Sequence, residues 1–592
     1  MNTSLTGLLC SAVLLTSISN LYAAEQDAVI VTATRTAQTM DESLASVTVL
    51  TEADIQRSQA NNLQDLLQSY AGMQFTNNGG PGKTTGLFMR GTSPTHVLIM
   101  IDGIKTGSAT SGATAIQNIP VSQIERIEIV RGPRSSLYGS EAIGGVIQIF
   151  TKKGSHTTSQ ANIQAGYGTY NTSQLSAGFS GGNTSSRYNV QASSQKTDGI
   201  DVKNDGETDS DGYKNNSINA NYDLNISETT NVAINMLHAE GSNDYDGSYT
   251  NESDFVQQAV GLTLDTSPTR NWKMLVRTGY STDESDNFLN GAFKTRYNTK
   301  IQQTSLQNDF TIGTHNIFTL GVDYKKDEVA STTNYDEKSR DNTGVFMQHQ
   351  WSGENNDLVL GVRSDDNQAF GTHTTGNIGW GYKISNKYRL TASYGTGFSA
   401  PSFNQLYYPG YGVATLKPEE SETYELGIKS KYTWGQWDIH AYRTNIDNMI
   451  GGAPLSNVDK AEINGLELRL SGTLAGLQHQ LNLSYTDPRD AMTDKILRRR
   501  SRQALRYDVD QTSGNINYGI SLIAQGEQYE DEQNTKRVSG YGLLDLRASY
   551  VISKQLSLKA KINNVFDQSY ETIDTYNQPG LNAFASINYQ GF

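Results

Sequence analysis

The chain has 592 residues, 36% hydrophobic and 18% charged, with 55 glycines, a composition that excludes wholesale disorder. Its formal net charge of −14 excludes a nucleic-acid binder, which needs a basic face. Mean hydropathy is −0.53 and no run of about 18 apolar residues follows residue 24, so transmembrane helices are excluded while a membrane β-barrel stays open.

From the amino terminus, the apolar stretch 8–15 and the small residues Ala23 and Ala24 read as a secretory signal peptide over 1–24, although no Lys or Arg precedes it. The single cysteine, Cys10, lies inside it, so the exported chain would carry no thiol and cross an oxidising compartment without risk of wrong disulfides. No small residue stands before Cys10, which argues against a lipid anchor. Next comes Asp27-Ala28-Val29-Ile30-Val31-Thr32-Ala33, a β-prone run in polar surroundings. A terminal run of this kind can add as a strand to a partner's sheet edge and transmit a pull through main-chain hydrogen bonds. An ordinary first strand has the same appearance.

Residues 25–152 mix short strand patterns with helical ones and read as a compact α+β unit. Spacing predicts a helix over 63–70 that stops before Gly72, and buried strands over 96–101 and 127–130. Gly144-Gly145 invites a phosphate-loop reading, but no Gly-Lys-Ser/Thr follows, and Gly79-Gly80-Pro81-Gly82 lacks the strand-then-helix context.

Residues 153–592 form a series of alternating segments split by Gly, Asn, Asp and Ser. Leu556, Leu558, Ala560 and Ile562 share one face, with Ser557, Lys559 and Lys561 on the other; Leu544, Leu546, Ala548, Tyr550 and Ile552 repeat this against Asp545, Arg547 and Ser549. The segment 388–394 reads likewise. About 440 residues over about 22 strands is roughly 20 per strand, of which about 10 cross a bilayer. The 32 Tyr against 16 Phe suit the aromatic girdles of such a barrel. Alternation alone also fits a soluble β-sandwich or a β-helix.

Two outer segments carry concentrated charge. Asp201, Asp205, Glu207, Asp209 and Asp211 crowd one, and Asp244, Tyr245, Asp246 and Asp254 follow one strand pair later. Carboxylates at this density repel one another unless a cation neutralises them, and calcium takes six to eight oxygen ligands. Residues 208–212 thus read as a calcium loop, with a solvated acidic loop as the alternative; EF-hand spacing is not matched. Arg498 opens a basic run through Arg502 that suits a phosphate, of a ligand or of lipopolysaccharide, or simply solvent. Eight scattered His, no His-Glu-x-x-His and no Gly-x-Ser-x-Gly argue against an enzyme.

Met89-Arg90-Gly91-Thr92, then Val97-Leu98-Ile99-Met100-Ile101-Asp102-Gly103, then 127–140 and Glu141-Ala142-Ile143-Gly144-Gly145-Val146-Ile147 resemble the plug of TonB-dependent outer-membrane receptors. Arg363-Ser364-Asp365-Asp366-Asn367, Leu416-Lys417-Pro418-Glu419, Asn464-Gly465-Leu466-Glu467 and Asn563-Asn564-Val565-Phe566-Asp567 extend the resemblance over nearly the whole exported chain. It implies an all-β membrane protein, a 22-stranded antiparallel transmembrane β-barrel (153–592) with an N-terminal α+β plug (25–152) in its lumen. It also implies a monomer in the cell outer membrane, among lipid and lipopolysaccharide. Residues 27–33 would be the TonB box, engaged by TonB, with ExbB and ExbD relaying the proton-motive force. A passive porin would lack both box and plug. Terminal Phe592 fits the family's assembly signal, although polar Gln590, Asn588 and Ser586 share its register; a bulge at Gly591 would restore alternation.

Within the family, Gly79-Gly80, Thr95-His96-Val97-Leu98 and Ile496-Leu497-Arg498-Arg499 resemble the cobalamin (vitamin B12) receptors, with a ferric siderophore or haem as the rival cargo. That narrower resemblance implies structural calcium held by Asp201, Glu207, Asp209, Asp211, Tyr245, Asp246 and Asp254, Glu207 standing where an amide is expected. It also implies cobalamin contacts at Thr84, Gly86, Ser93, Thr110, Ser111, Gly247, Ser305 and Arg498, most differing in type from the family pattern. A large, amide-rich, nearly rigid corrinoid can be held by hydroxyls and backbone groups from several loops.

Overall fold

The computed structural model describes residues 30–31, 35–36, 38–40, 42–206, 208–452 and 454–591. The expected signal peptide, Asp27, Ala28, Val29, Thr32, Ala33, Glu207 and Phe592 lie outside them. Twenty-two antiparallel strands, from Gln160–Gly168 to Asn582–Gly591, pair in chain order and close into a barrel. Closure runs from Ala161 opposite Gly591 to Gly168 opposite Phe584 without a register shift. The bulge expected at Gly591 is therefore absent. Gln590 is exposed at the strand's end, beyond the apolar row of Ala585, Ile587 and Tyr589, so a polar residue there needs no re-phasing.

The alternation read from sequence is inverted relative to a soluble protein. Val190 is 48% exposed while its neighbours Asn189 and Gln191 are buried, and Leu558 and Ile562 face outward while Lys561 is buried. An apolar exterior around a polar interior suits a hydrocarbon surround and excludes the soluble β-sandwich. Strand lengths run from the 8 residues of Leu556–Asn563 to the 21 of Ala292–Ile312, so the longest project well past a bilayer that about 10 residues span.

The plug fills the lumen with a five-stranded sheet in the order Val47–Leu50, Ile124–Arg131, Gly145–Thr151, Val97–Ile101, Ile104–Thr106. Val97–Ile101 and Gly145–Thr151 run parallel. Ile99, Ile127 and Ile147 are buried with Leu63, Leu66 and Leu67 in one apolar core. Thr51 and Asp54 form a capping box on helix Glu52–Ser58, and Asn62 caps Leu63–Leu67, satisfying free amide groups of the first turns. The second helix ends three residues short of the expected 70. Ser69 is left-handed, and the Gln68 amide donates to the Tyr541 hydroxyl of the wall at 2.6 Å. A barrel contact thus outweighs the local helical spacing. His96 closes a short turn, Pro94–His96, and the strand begins at Val97.

Plug and wall are joined by buried ion pairs. The Arg90 guanidinium donates to both Glu467 oxygens at 2.9 and 2.8 Å and to Glu425 Oε2 at 2.7 Å, and it stacks 4.3 Å from the Tyr442 ring centre. His96 Nε2 lies 2.7 Å from Glu419 Oε2.

Candidate functional site

At the outer mouth of the barrel the plug's apical turns meet the loops between strands. The first turn depends on glycine: Gly79 and Gly80 have φ of +116° and +96°, a region costly for side-chain-bearing residues. The Asn77 side chain accepts from both amides, at 2.8 Å from Gly79. Thr572, from the loop before the last strand, bonds the Asn77 backbone at 2.9 and 3.0 Å. A second apex is built from 107–114, where Phe403 and Asn404 amides donate to Ala109 and Thr110 carbonyls at 3.1 and 3.0 Å.

Between these apices and the loops lies a cavity of about 620 Å³. Thr84, Gly86, Ser93, Thr110, Ser111 and Arg498 all line it, so six of the eight expected contact positions meet although they span the chain from 84 to 498. The other two lie elsewhere. Gly247 sits in the loop after Asp246, where an added Cβ would collide with the Thr250 carbonyl. Ser305 is deep in strand Ala292–Ile312, donates to Asp323 Oδ1 at 2.6 Å, and lines a separate side cavity. No motif anchors positions along that long strand, and a slip of register changes both the level and the face of a side chain.

The basic run beside the cavity divides by partner. Arg499 pairs with Glu530 and Arg502 with Asp487. Arg500 is buried, donating to Gly91 O at 3.0 Å and Ser93 Oγ at 3.1 Å, and burial pushes its pKa down to about 9. Arg498 is exposed, with no side-chain hydrogen bond or ion pair among the described residues, which leaves its guanidinium available to a ligand. Sequence reasoning missed Arg500 as the support of Ser93; its place in the same run was the only signal.

The acidic loops converge in part. Carboxylate oxygens of Asp201, Asp211 and Asp246 lie within 4.8 Å of one another. Asp211 accepts from the Val202 amide at 3.0 Å, whereas Asp246 Oδ2 is buried without a partner among the described residues. Burial, then Asp211, Asp205, Asp209 and Asp201, push the Asp246 carboxyl up to about 6. Three converging carboxylates with an orphaned oxygen fit a hard divalent cation. Asp209 is exposed and outside the trio. The Tyr245 hydroxyl turns to Thr250 Oγ1 at 2.9 Å. Asp254 is exposed on the face of its strand opposite buried Phe255 and Gln257, and so does not join the trio: strand alternation points it outward.

Sequence reasoning also missed Lys83. Its buried ammonium donates to the Asp211 and Gly212 carbonyls at 3.1 Å and to Asn243 Oδ1 at 2.8 Å. Burial pushes its pKa down to about 8, opposed by Asp211, Asp244 and Asp246. The residue before Thr84 in the plug is thereby tied to the acidic loops, a link for which a lone lysine in a glycine-rich turn gives no signal. At the other end of the plug, Ile30–Val31 pairs antiparallel with Gln38–Thr39.

Residues 154–565 match the sequence model for the TonB dependent receptor-like beta-barrel, and residues 39–146 that for the TonB-dependent receptor plug domain. The chain is 32% identical over 602 residues to the vitamin B12 transporter BtuB of Photobacterium profundum, covering 97% of each chain. It is 34% identical over 609 residues to that of Vibrio vulnificus, covering 98% of each. Among solved structures, the siderophore receptor PirA from Acinetobacter baumannii superposes with a TM-score of 0.81 at 18% identity, covering 92% of this chain and 98% of that one. A variant of the ferric enterobactin receptor PfeA from Pseudomonas aeruginosa gives 0.80 at 19%, with the same coverage; at such identities the likeness is one of fold. The plug, the closed barrel around it and relatives matched over nearly their full length lead to one conclusion: the chain belongs to the TonB-dependent receptors of the outer membrane, a family of transporters and not of enzymes.

Proposed function

We propose that this receptor captures extracellular cobalamin at the mouth cavity and passes it to the periplasm when TonB, driven through ExbB and ExbD by the proton-motive force, pulls on residues 27–33. The observation that carries this reading is the cavity itself, which gathers Thr84, Gly86, Ser93, Thr110, Ser111 and Arg498 from the two plug apices, the plug turn at Ser93 and one barrel loop. Hydroxyls and backbone groups around the cavity suit a rigid, amide-rich ligand, and Arg498, without a side-chain partner among the described residues, suits its phosphodiester. The relatives named as vitamin B12 transporters support it. Calcium held by Asp201, Asp211 and Asp246 orders the loops beside that cavity, with Lys83 carrying the order to the plug.

The test is equilibrium binding of cyanocobalamin to the purified monomer, in calcium and again in chelator, with a ferric siderophore as the competing cargo. Tight cobalamin binding that weakens on chelation is expected. Folded receptor that ignores cobalamin in both buffers, or prefers the siderophore, overturns the cargo; chelator-insensitive binding overturns the calcium.

A further inference from the structure

A side cavity of about 730 Å³ lies between plug and barrel wall, reaching from the turn at Arg270 and Asn271 to Ala400 near the outer loops. The chain as a whole carries a net charge of −14, yet eleven lining side chains are Lys or Arg and six are Asp or Glu. Several of those cations are already paired. Arg35 and Arg363 share Asp323, each at 2.6 Å, and Lys325 bridges Glu141 of the plug and Asp327 at 2.8 and 3.3 Å.

Arg277 is different. It sits within strand Trp272–Leu289, opposite Thr263 on one side and Ser305 on the other. Its side-chain hydrogen bond goes to Thr263 Oγ1 at 3.3 Å, and it makes no ion pair among the described residues. From the plug, the turn between Val97–Ile101 and Ile104–Thr106 comes down on it at Gly103, where any Cβ would strike the guanidinium. Lys105 of the same hairpin donates to the Tyr138 carbonyl at 2.5 Å, and burial, with Lys325 nearby, pushes its pKa down to about 8. The carboxylate on that hairpin, Asp102, is held by Thr151. The carboxylates that reach Arg277 electrostatically are engaged elsewhere, Asp102 by Thr151 and Asp323 by Arg35 and Arg363, so positive groups of plug and barrel meet here between low-dielectric walls that focus their field on an anion.

We propose that Arg277 is the principal contact of an anion site in this side cavity, one that receives the phosphodiester of the cargo on its way past the plug. A guanidinium presents the fork that two phosphate oxygens accept, and the Thr263 hydroxyl adds a donor. The identity of the cargo rests on the cobalamin reading, whereas the site rests on the cavity. The cavity lies between plug and barrel wall, so the body of the cargo follows only when the plug moves.

The test compares Arg277→Met and Arg277→Lys with wild type in the full-length receptor. Inorganic phosphate, added against matched chloride, should raise the thermal midpoint of wild type and R277K more than that of R277M; an equal rise in all three overturns the site. In energised cells matched for surface cyanocobalamin binding, R277M should slow cyanocobalamin uptake about fivefold or more and leave unchanged the uptake of cobinamide, which lacks the phosphodiester. Slowing of both corrinoids, or of neither, overturns the role in transit. Wild type that binds no cyanocobalamin removes the cobalamin reading alone, because the phosphate comparison still decides the site.

Discussion

Arg90 leaves the plug just after strand Thr85–Met89 and enters the wall between two buried glutamates, Glu425 and Glu467. Three donated bonds at 2.7 to 2.9 Å offset the cost of taking three charges out of water, and the Tyr442 face adds a cation–π contact. Arg90→Gln removes the guanidinium that both buried carboxylates share. Breaking such a pair costs about 3–5 kcal/mol, so the variant's plug should become protease-sensitive at a temperature where wild type resists, while the barrel's circular dichroism is unchanged. Arg90→Lys should recover only part of the loss, since an ammonium cannot make the two-pronged bond to Glu467.

At the scale of elements, the barrel strands and the amino-terminal strand stand at opposite ends of stability. Ala292–Ile312 pairs along almost its full length on both sides, whereas Ile30–Val31 has two partners, Thr39 and Gln38. Two residue pairs hold little, so a partner offering a longer sheet edge displaces them. Val31→Pro removes a main-chain donor and bars a regular ladder. It should abolish energised uptake while cyanocobalamin binding to isolated membranes stays at the wild-type level; uptake at the wild-type rate would show that residues 27–33 are not where the pull is applied.

For the whole molecule, closure of twenty-two strands satisfies every barrel edge, which a hydrocarbon surround demands. The plug has no such protection. It meets the wall through ion pairs, polar bonds and a side cavity of about 730 Å³, an interface that urea loosens before it reaches the strand ladder. Receptor in planar bilayers should therefore gain conductance at urea concentrations below those that melt the barrel, and lose it again on dilution. Conductance that appears only with loss of the barrel signal would mean that plug and barrel unfold as one unit.

Sequence by itself determined what depends on neighbours along the chain. The period-two faces of 544–552 and 556–562 marked lipid-facing strands, and the glycine-rich and arginine motifs of 89–147 marked the plug. Local steric and burial patterns repeat wherever the chain adopts them, which is why they were legible. Tertiary structure alone decided what depends on register across hundreds of residues. It brought Arg90 to Glu425 and Glu467, 335 and 377 positions away. It gathered Thr84 and Arg498 around one cavity and set Ser305 in another. It turned Asp254 outward while Asp246 faced Asp211, and it gave Lys83 its three barrel acceptors. A one-residue slip of a strand sends a side chain to the opposite face, and a loop's reach follows from the strands that carry it, so no local pattern in the sequence encodes these meetings.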